Sequence, residues 1–316
     1  MEQFAFLFIV PAAAVILDAL FGDPKNLPHP VRCIGQALDL YESSARRVGI
    51  NLRAAGWAAV ILLPVAAWSL AEFLMAIPYL GVFIAIYLAY AGLALGCLAR
   101  EAYKVASLLD TGDLPGARAA LSMLVSRDTS TLDPNDVRRT LAETVSENLN
   151  DGFVAPMFYL ALLGPGGMWA YKVVSTMDSM WGYRTDRFRD LGRGAAKTDD
   201  LLAWIPARIT ARLLIFVGRR RGLNHDAAKT HHARDAVTME SPNAGWPMAA
   251  AAWLVGGQMG GRAVYFDEVK DKPVLGPIDA IWDKAMVRSL IRLCKSTGHL
   301  AAWIFIAVLG CLRWVF

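Results

Sequence analysis

Charge is scarce in this chain, and its scarcity is the first constraint. Of 316 residues, 19% are charged and 55% are hydrophobic, where a soluble domain carries about 25% charged and roughly 45–50% apolar residues. Residues 54–99 contain one charged side chain, Glu72, which excludes an ordinary solvated surface over that stretch. Cysteine is equally sparse. The four cysteines at 33, 97, 294 and 311 form no Cys-x-x-Cys and sit beside no His/Cys cluster, so neither a disulfide framework nor a zinc site is expected. The pair His231-His232 has no partner motif and reads as a surface helix or a local hydrogen-bonding feature. There is no Gly-x-x-x-x-Gly-Lys-Ser/Thr loop and no Gly-x-Gly-x-x-Gly run; Gly164–Gly167 lacks the Lys-Ser/Thr that a phosphate loop needs. The net charge of +4 is modest and the basic residues follow apolar runs rather than forming one stripe, so no nucleic-acid partner is expected. The start Met1-Glu2-Gln3 lacks the basic region of a cleaved leader, and the first apolar run reads as a retained anchor. No repeat or low-complexity tract is present.

What the chain does have is length of apolar sequence. A helix needs about 20 apolar residues to cross a bilayer, and spans are expected at about 3–21, 54–77, 79–99 and 297–315, with a reversal near Pro78. Residues 152–171 carry no charge, but Gly164-Pro165-Gly166-Gly167 interrupts them. A single crossing there would place the basic run 184–197 outside, against the positive-inside rule. An apolar helical hairpin over about 152–180 is therefore expected. The same rule places the basic loops 22–53 and 100–151 in the cytoplasm. The fold class is mainly α: one membrane-integrated, multi-pass domain over 1–316, in contact with membrane lipid. Its polar, cytoplasm-facing helices fall at about 100–151 and 182–296. Strand content should be negligible, with at most a short piece near Val264–Phe266. Asp133-Pro134 starts a helix that runs to about Asn150, because Asp caps well and Pro suits the first turn. Asp199-Asp200 can cap another that runs through Arg212, with Pro206 bending it.

The polar residues concentrate between 127 and 208, in a density that loop orientation does not require. Glu143, Glu147 and Asp151 share a helix face and its end, at i, i+4 and i+8. Such a face is either solvated or a set of hard oxygen ligands for Mg2+. Asp178 and Asp128 are candidate bases, and Glu147 a further candidate catalytic carboxylate. Arg127, Arg184, Arg187 and Arg208 are candidate phosphate or carboxylate binders, since a planar guanidinium grips such groups bidentately. The alternatives are interfacial anchoring for Arg187 and Arg189, and a structural ion pair with Asp200 for Arg208. Asp23 reads as part of a turn between Gly22 and Pro24, and His29 between two prolines either braces that turn or contacts substrate.

In order along the chain come Gly22-Asp23-Pro24, Leu27-Pro28-His29-Pro30-Val31-Arg32, Arg127-Asp128-Thr129, Glu143-Thr144-Val145 with Glu147-Asn148, Asp151-Gly152, and Ala155-Pro156 with Phe158-Tyr159. Thr176 to Arg184, Asp199-Asp200, Trp204 to Arg208, Ala233-Arg234-Asp235 and Ser241 to Pro247 follow. Over about residues 15–280 this series resembles the adenosylcobinamide-phosphate synthase family (CobD/CbiB) of cobalamin biosynthesis. One position departs: Ser175 precedes Thr176-Met177-Asp178-Ser179 where the family pattern has Asn. The resemblance implies a membrane enzyme that joins adenosylcobyric acid to aminopropanol, or to its O-phosphate, through an amide bond driven by ATP. It further implies Arg32 and Asn243, with His29, as substrate contacts, and ATP and Mg2+ as cofactors. A reaction centre facing the cytoplasm would have access to both. Two other classes fit less well: a non-catalytic regulatory membrane protein resembling AmpE, which has little use for an ordered acid and Arg series, and a transporter, which would carry polar residues in mid-span where 54–99 is nearly featureless.

Overall fold

A computed structural model describes residues 5–23, 29–183, 185–265 and 268–315. The chain is mainly helical. After a π-helical turn at Ala5–Ile9 come α1 (Val10–Phe21), α2 (Pro30–Val48), α3 (Leu52–Met75), α4 (Gly81–Ala91), α5 (Leu95–Asp110) and α6 (Leu114–Ser122). Then come α7 (Pro134–Leu149), a π turn at Asn150–Val154, α8 (Ala155–Trp181), α9 (Arg193–Leu202), α10 (Trp204–Arg220), α11 (His225–Ala236) and α12 (Gly245–Val255). Strands β1 (Met259–Tyr265) and β2 (Glu268–Leu275) precede the last helix, α13 (Lys284–Val315). Among the described residues, four helical stretches are long and apolar enough to cross a membrane, 52–75, 81–110, 134–181 and 284–315, and the bent pair 193–202 with 204–220 would make a fifth. The protein is a mainly α, multi-pass membrane protein.

The sequence signals act locally as expected in several places. Asp133 Oδ1 accepts from the N–H groups of Asn135 and Asp136, both at 2.8 Å, and Pro134 takes the first position of α7. Asn51 caps α3 in the same way, accepting from Ala54 N–H at 3.0 Å. In α8 the helix breaks at Gly164, whose φ of 77° and ψ of −174° no helix contains. The rings of Tyr159 and Tyr171 stack with centroids 4.8 Å apart. Twelve residues of unbroken helix would set them about 18 Å apart along the axis, so the two halves of α8 lie side by side as a hairpin.

Two compact units are present: 1–94 with 155–203 and 302–316, and 95–154 with 204–301. In the first, Leu38, Ala59, Val173, Val174, Met177, Trp181 and Leu191 form a buried core that ties α2, α3, α8 and α9 together. Gly56 of α3 meets the Leu191 carbonyl so closely that a Cβ there would collide with backbone, the close approach that small residues allow between membrane helices. On the outside of α3, Ile61, Leu62, Val65, Leu70 and Phe73 are exposed, as lipid contact requires and an aqueous surface disfavours. In the second unit α12 is the central element, with Ala249 to Ala252 wholly buried. Asp235 of α11 accepts from Trp253 Nε1 at 2.7 Å and from Gly276 N–H at 3.1 Å. Asp110 accepts from Arg288 at 2.6 Å and pairs with Lys284 at 3.3 Å, fastening α5 to the start of α13.

Three expectations are corrected. Strand content is not negligible: β1 and β2 form an antiparallel ribbon pairing Met259 with Leu275 and Gly261 with Lys272, with an irregularity between Met259 and Gly261. Phe266, at the edge of the expected short strand, lies outside the described residues. Asp199-Asp200 do not cap a helix through Arg212. They sit within α9, which begins at Arg193 and ends at Leu202 with Ala203 as its C-cap. Finally, the partners of Arg208 are not those a single helical stripe implies, as set out below.

Candidate functional site

The second unit gathers one polar cluster on α7. Arg127, just before the helix, donates one guanidinium N–H to Glu143 and another to Thr140 Oγ1 at 3.1 Å. Both charged groups are buried, Glu143 at 2% and Arg127 at 8% exposure. The other oxygen of Glu143 accepts from Gly260 N–H of β1 at 2.8 Å. Glu143 is thus satisfied by two donors and locks α7 to the loop before it and to the ribbon. One turn on, Glu147 is half-buried and interacts electrostatically with Asp151, Lys272, Glu143 and Arg127. Asp151 accepts from Asn150 Nδ2 at 2.7 Å, while Asn150 Oδ1 accepts from Thr210 Oγ1 at 3.0 Å. Arg127 neutralises Glu143, so Glu147 and Asp151 remain as two like charges held near one lysine.

Asp128, next to Arg127, is exposed, and its side chain accepts from Ser130 N–H at 2.8 Å. That hydrogen bond holds its carboxyl below the usual carboxylate range, which weakens it as a base. Beside the start of α7 is a cleft of about 340 Å³ lined by Asn135, Asp136, Arg139, Gln258, Asp279 and Trp282 among others. Arg139 pairs with Asp136 at 2.9 Å and donates to the Arg262 carbonyl at 3.2 Å. Sequence reasoning did not single out Arg139 or Gln258, because nothing in one dimension brings residue 139 to residues 258–282.

Arg208 and Asn243 were named separately and meet here. Arg208 donates to Asn243 Oδ1 at 3.1 Å and to the carbonyls of Trp204 at 2.8 Å and Pro242 at 3.3 Å. Its guanidinium lies 4.2 Å from the ring centroid of Trp204 and 4.6 Å from that of Trp246. These contacts, not a carboxylate, hold the charge.

The first unit holds the remaining candidates. Glu42 of α2 takes Arg187 as a bidentate partner at 2.9 and 3.0 Å and Arg46 at 2.9 Å. The Arg187 hydrogen bonds hold the Glu42 carboxyl below its ordinary range. The planar fork of Arg187 is thus used within the protein. His29 is the N-cap residue of α2. Its Nε2 is buried, and among the described residues it has no hydrogen-bond partner. Burial is the main cause that lowers its pKa, with Asp23, Lys172 and Arg32 as electrostatic neighbours, so the ring is neutral at physiological pH. Lys172, which the sequence reading did not name, is one helical turn before Thr176. Arg32 is exposed on the first turn of α2. Asp178 is partly buried near the end of α8 with Asp200 as an electrostatic neighbour. Arg184 lies outside the described residues. Among the described residues, no group of three or more His, Cys, Asp or Glu side chains is assembled as a metal site.

Comparison with known proteins identifies the family. The family model described as CobD/Cbib protein matches residues 11–294. A protein of Pelobacter propionicus, named cobalamin biosynthesis protein CobD, is 40% identical over 313 residues, covering 96% of each chain. Its namesake in Geobacter metallireducens is 40% identical over 289 residues, covering 88% of this chain and 91% of its own. The cobalamin biosynthesis protein CbiB of Salmonella arizonae is 36% identical over 302 residues, covering 93% and 95%. No solved structure matches.

Proposed function

Because the chain belongs to the CobD/Cbib family, we propose that it serves cobalamin biosynthesis as an ATP-dependent amide synthase in the cell membrane. Its substrates on this reading are adenosylcobyric acid and (R)-1-aminopropan-2-ol O-phosphate, or the free amino alcohol. The products are the corrinoid amide, ADP and inorganic phosphate. A carboxylate is a poor acyl donor at neutral pH, and bound ATP would supply its activation by phosphorylation, so that the amine displaces phosphate.

The observation that carries this reading is the Glu147–Asp151 pair. Two carboxylates held together in partly buried positions repel unless a cation is present. Lys272 and Arg127 are cationic neighbours of Glu147, and a bound cation would add to them. Magnesium is commonly held by one or two carboxylates, with phosphates and water completing the shell. Glu147 and Asp151 fit that demand. Glu143 fits it poorly, because Arg127 and Gly260 N–H already engage both its oxygens. Arg127 in turn serves Glu143, so its role is to hold that carboxylate in place rather than to grip phosphate.

The further candidates are each assigned a role on their own chemistry. Asp178 is the preferred base for the ammonium of the incoming amine, since the Asp128 carboxylate is stabilised by Ser130 N–H. The neutral His29, with Nε2 unpartnered among the described residues, is suited to hydrogen-bond a substrate amide or phosphate. Lys172 adds a cation beside it. Arg208 and Asn243 shape one rigid binding element, and Arg184 and Arg32 remain candidates for the phosphate of the amine.

The test is amide formation in membranes containing the chain, supplied with adenosylcobyric acid, ATP, Mg2+ and either amine. The reading expects a corrinoid amide and ADP in equal amounts, with Glu147→Gln and Asp151→Asn each lowering the rate by at least about tenfold. Absence of corrinoid product with both amines overturns it.

A further inference from the structure

The tip of the α8 hairpin borders a cavity that the proposed reaction does not use. It has a volume of about 340 Å³ and lies wholly in the first unit, between the end of α3, the hairpin turn and the last turn of α13. Its walls carry opposite charges, Glu72 and Arg313. Glu72 is the one charged side chain in residues 54–99, and Arg313 the one Lys, Arg, Asp or Glu after Lys295. Two otherwise charge-free stretches of chain, 54–99 and 296–316, thus place their single charges on the same cavity.

These two side chains attract each other across the space, yet among the described residues neither forms an ion pair within 4.0 Å or a hydrogen bond. They flank the turn. A Cβ built on Gly166 would meet Glu72 Oε1 at 2.6 Å, and one on Gly164 would lie 3.7 Å from Arg313 Nη1.

The depth of the cavity is set by α3. Its 24 residues make a rod of about 36 Å, longer than the roughly 30 Å hydrocarbon core. Asn51 and Arg53 mark one boundary, so Glu72, about 30 Å further along, is at the level of the opposite headgroups. Tyr79 is 98% exposed and Trp314 is exposed nearby in the chain order of the same helix ends, as in the aromatic belts of membrane proteins.

A cavity at headgroup depth with a guanidinium on one wall and a carboxylate on the other matches a ligand of the same two charges. We infer that it binds the headgroup of a phospholipid carrying a primary ammonium, with the phosphate on Arg313 and the ammonium on Glu72. Guanidinium suits phosphate bidentately, and a primary ammonium donates to carboxylate. An anionic headgroup without an amine is repelled by Glu72. A quaternary ammonium keeps the charge but has no N–H to donate. Phe6, Met75 and Leu163 on the cavity wall offer apolar surface to the start of the acyl chains, which a free phosphoethanolamine lacks. The bound lipid would brace the hairpin turn. The inference does not depend on the proposed reaction.

The test is native mass spectrometry of the full chain purified in detergent and equilibrated with equal amounts of phosphatidylethanolamine, phosphatidylcholine and phosphatidylglycerol. The expected result is retention of phosphatidylethanolamine about tenfold over the other two, the size of one charge-assisted hydrogen bond. Glu72→Gln should abolish the preference over phosphatidylcholine, and Arg313→Gln should lower retention of all three. Monodisperse elution and an unchanged melting temperature certify each variant. If either fails, Glu72→Asp or Arg313→Lys replaces it and should weaken the preference. No preference in the unaltered chain, or one that survives both variants, overturns the proposal. So does displacement of the lipid by an equal concentration of phosphoethanolamine, which would make a soluble zwitterion the occupant.

Discussion

Glu143 and Glu147 are one helical turn apart and the same residue type, yet the structure gives them different tasks. Glu143 is buried against Arg127 and Gly260 N–H. Removing its charge leaves a buried guanidinium uncompensated, which costs about 3–5 kcal/mol. Glu143→Gln should therefore lower the melting temperature and membrane yield. Glu147 faces Asp151 and Glu143 as like charges, so Glu147→Gln relieves repulsion. It should keep or raise the melting temperature while losing most amide synthesis. Thermal unfolding in detergent separates the two, and equal destabilisation would remove Glu147 from the site. The spacing of Glu143, Glu147 and Asp151 on one face is legible in the sequence. Which of them is already neutralised is not, because Arg127 and Gly260 reach Glu143 only through the tertiary fold. Arg208 teaches the same lesson. Its motif marks it, but its seat between Trp204 and Trp246 depends on a loop some forty residues away. Arg208→Lys keeps the charge and loses the planar fork, and should cost about 1–2 kcal/mol through the carbonyl and ring contacts, measurable by the same unfolding.

Among the elements, the α8 hairpin depends most on one residue. Gly164 holds φ at 77°, where a Cβ is strained by about 1–2 kcal/mol. Gly164→Ala should lower the melting temperature by that order while leaving the helices on either side intact by circular dichroism; no change would mean the turn is not as described. The hairpin is legible because Gly-Pro-Gly-Gly in an uncharged run has few other uses. The ribbon is not legible. Gly260 and Gly261 disfavour strand, the register is irregular at that point, and Pro273 and the alternating charges of β2 resemble a loop. The break at Ala203 is marked by Pro206, which suits the first turn of the helix that follows, but nothing in the sequence fixes it to that residue. A second prediction at this scale concerns the segment 185–192, which Arg187 fastens to Glu42. The Glu42 pKa is lowered in the folded protein. The contribution is therefore fully present above the ordinary glutamate value of about 4.3 and is lost as pH falls below it through the depressed value. With Arg187 largely in solvent, screening keeps the contribution of the pair small. Protease cleavage within 185–192 should be constant from pH 8 to 5 and rise only below about pH 4. In Glu42→Gln the rise should vanish, replaced by faster cleavage at every pH.

For the whole molecule, composition and runs of uncharged sequence identify a mainly helical multi-pass protein. Which side each loop occupies rests on the basic residues. Single cysteines at Ser44, Ser126 and Thr185, in a chain freed of its four natural cysteines, should all resist a membrane-impermeant thiol reagent in intact cells and react after lysis. Labelling at Thr185 in intact cells would contradict the cytoplasmic placement. The reaction itself is legible only through resemblance, since no residue pattern here spells out a corrinoid. Its central claim is that the chain activates a carboxylate with ATP before the amine arrives. The direct measurement uses adenosylcobyric acid carrying 18O in its free carboxylate, with ATP and aminopropanol phosphate, in membranes containing the chain. The account predicts one 18O in the released inorganic phosphate for each amide formed. Label in AMP, or amide formation with no label transferred to phosphate, would contradict it.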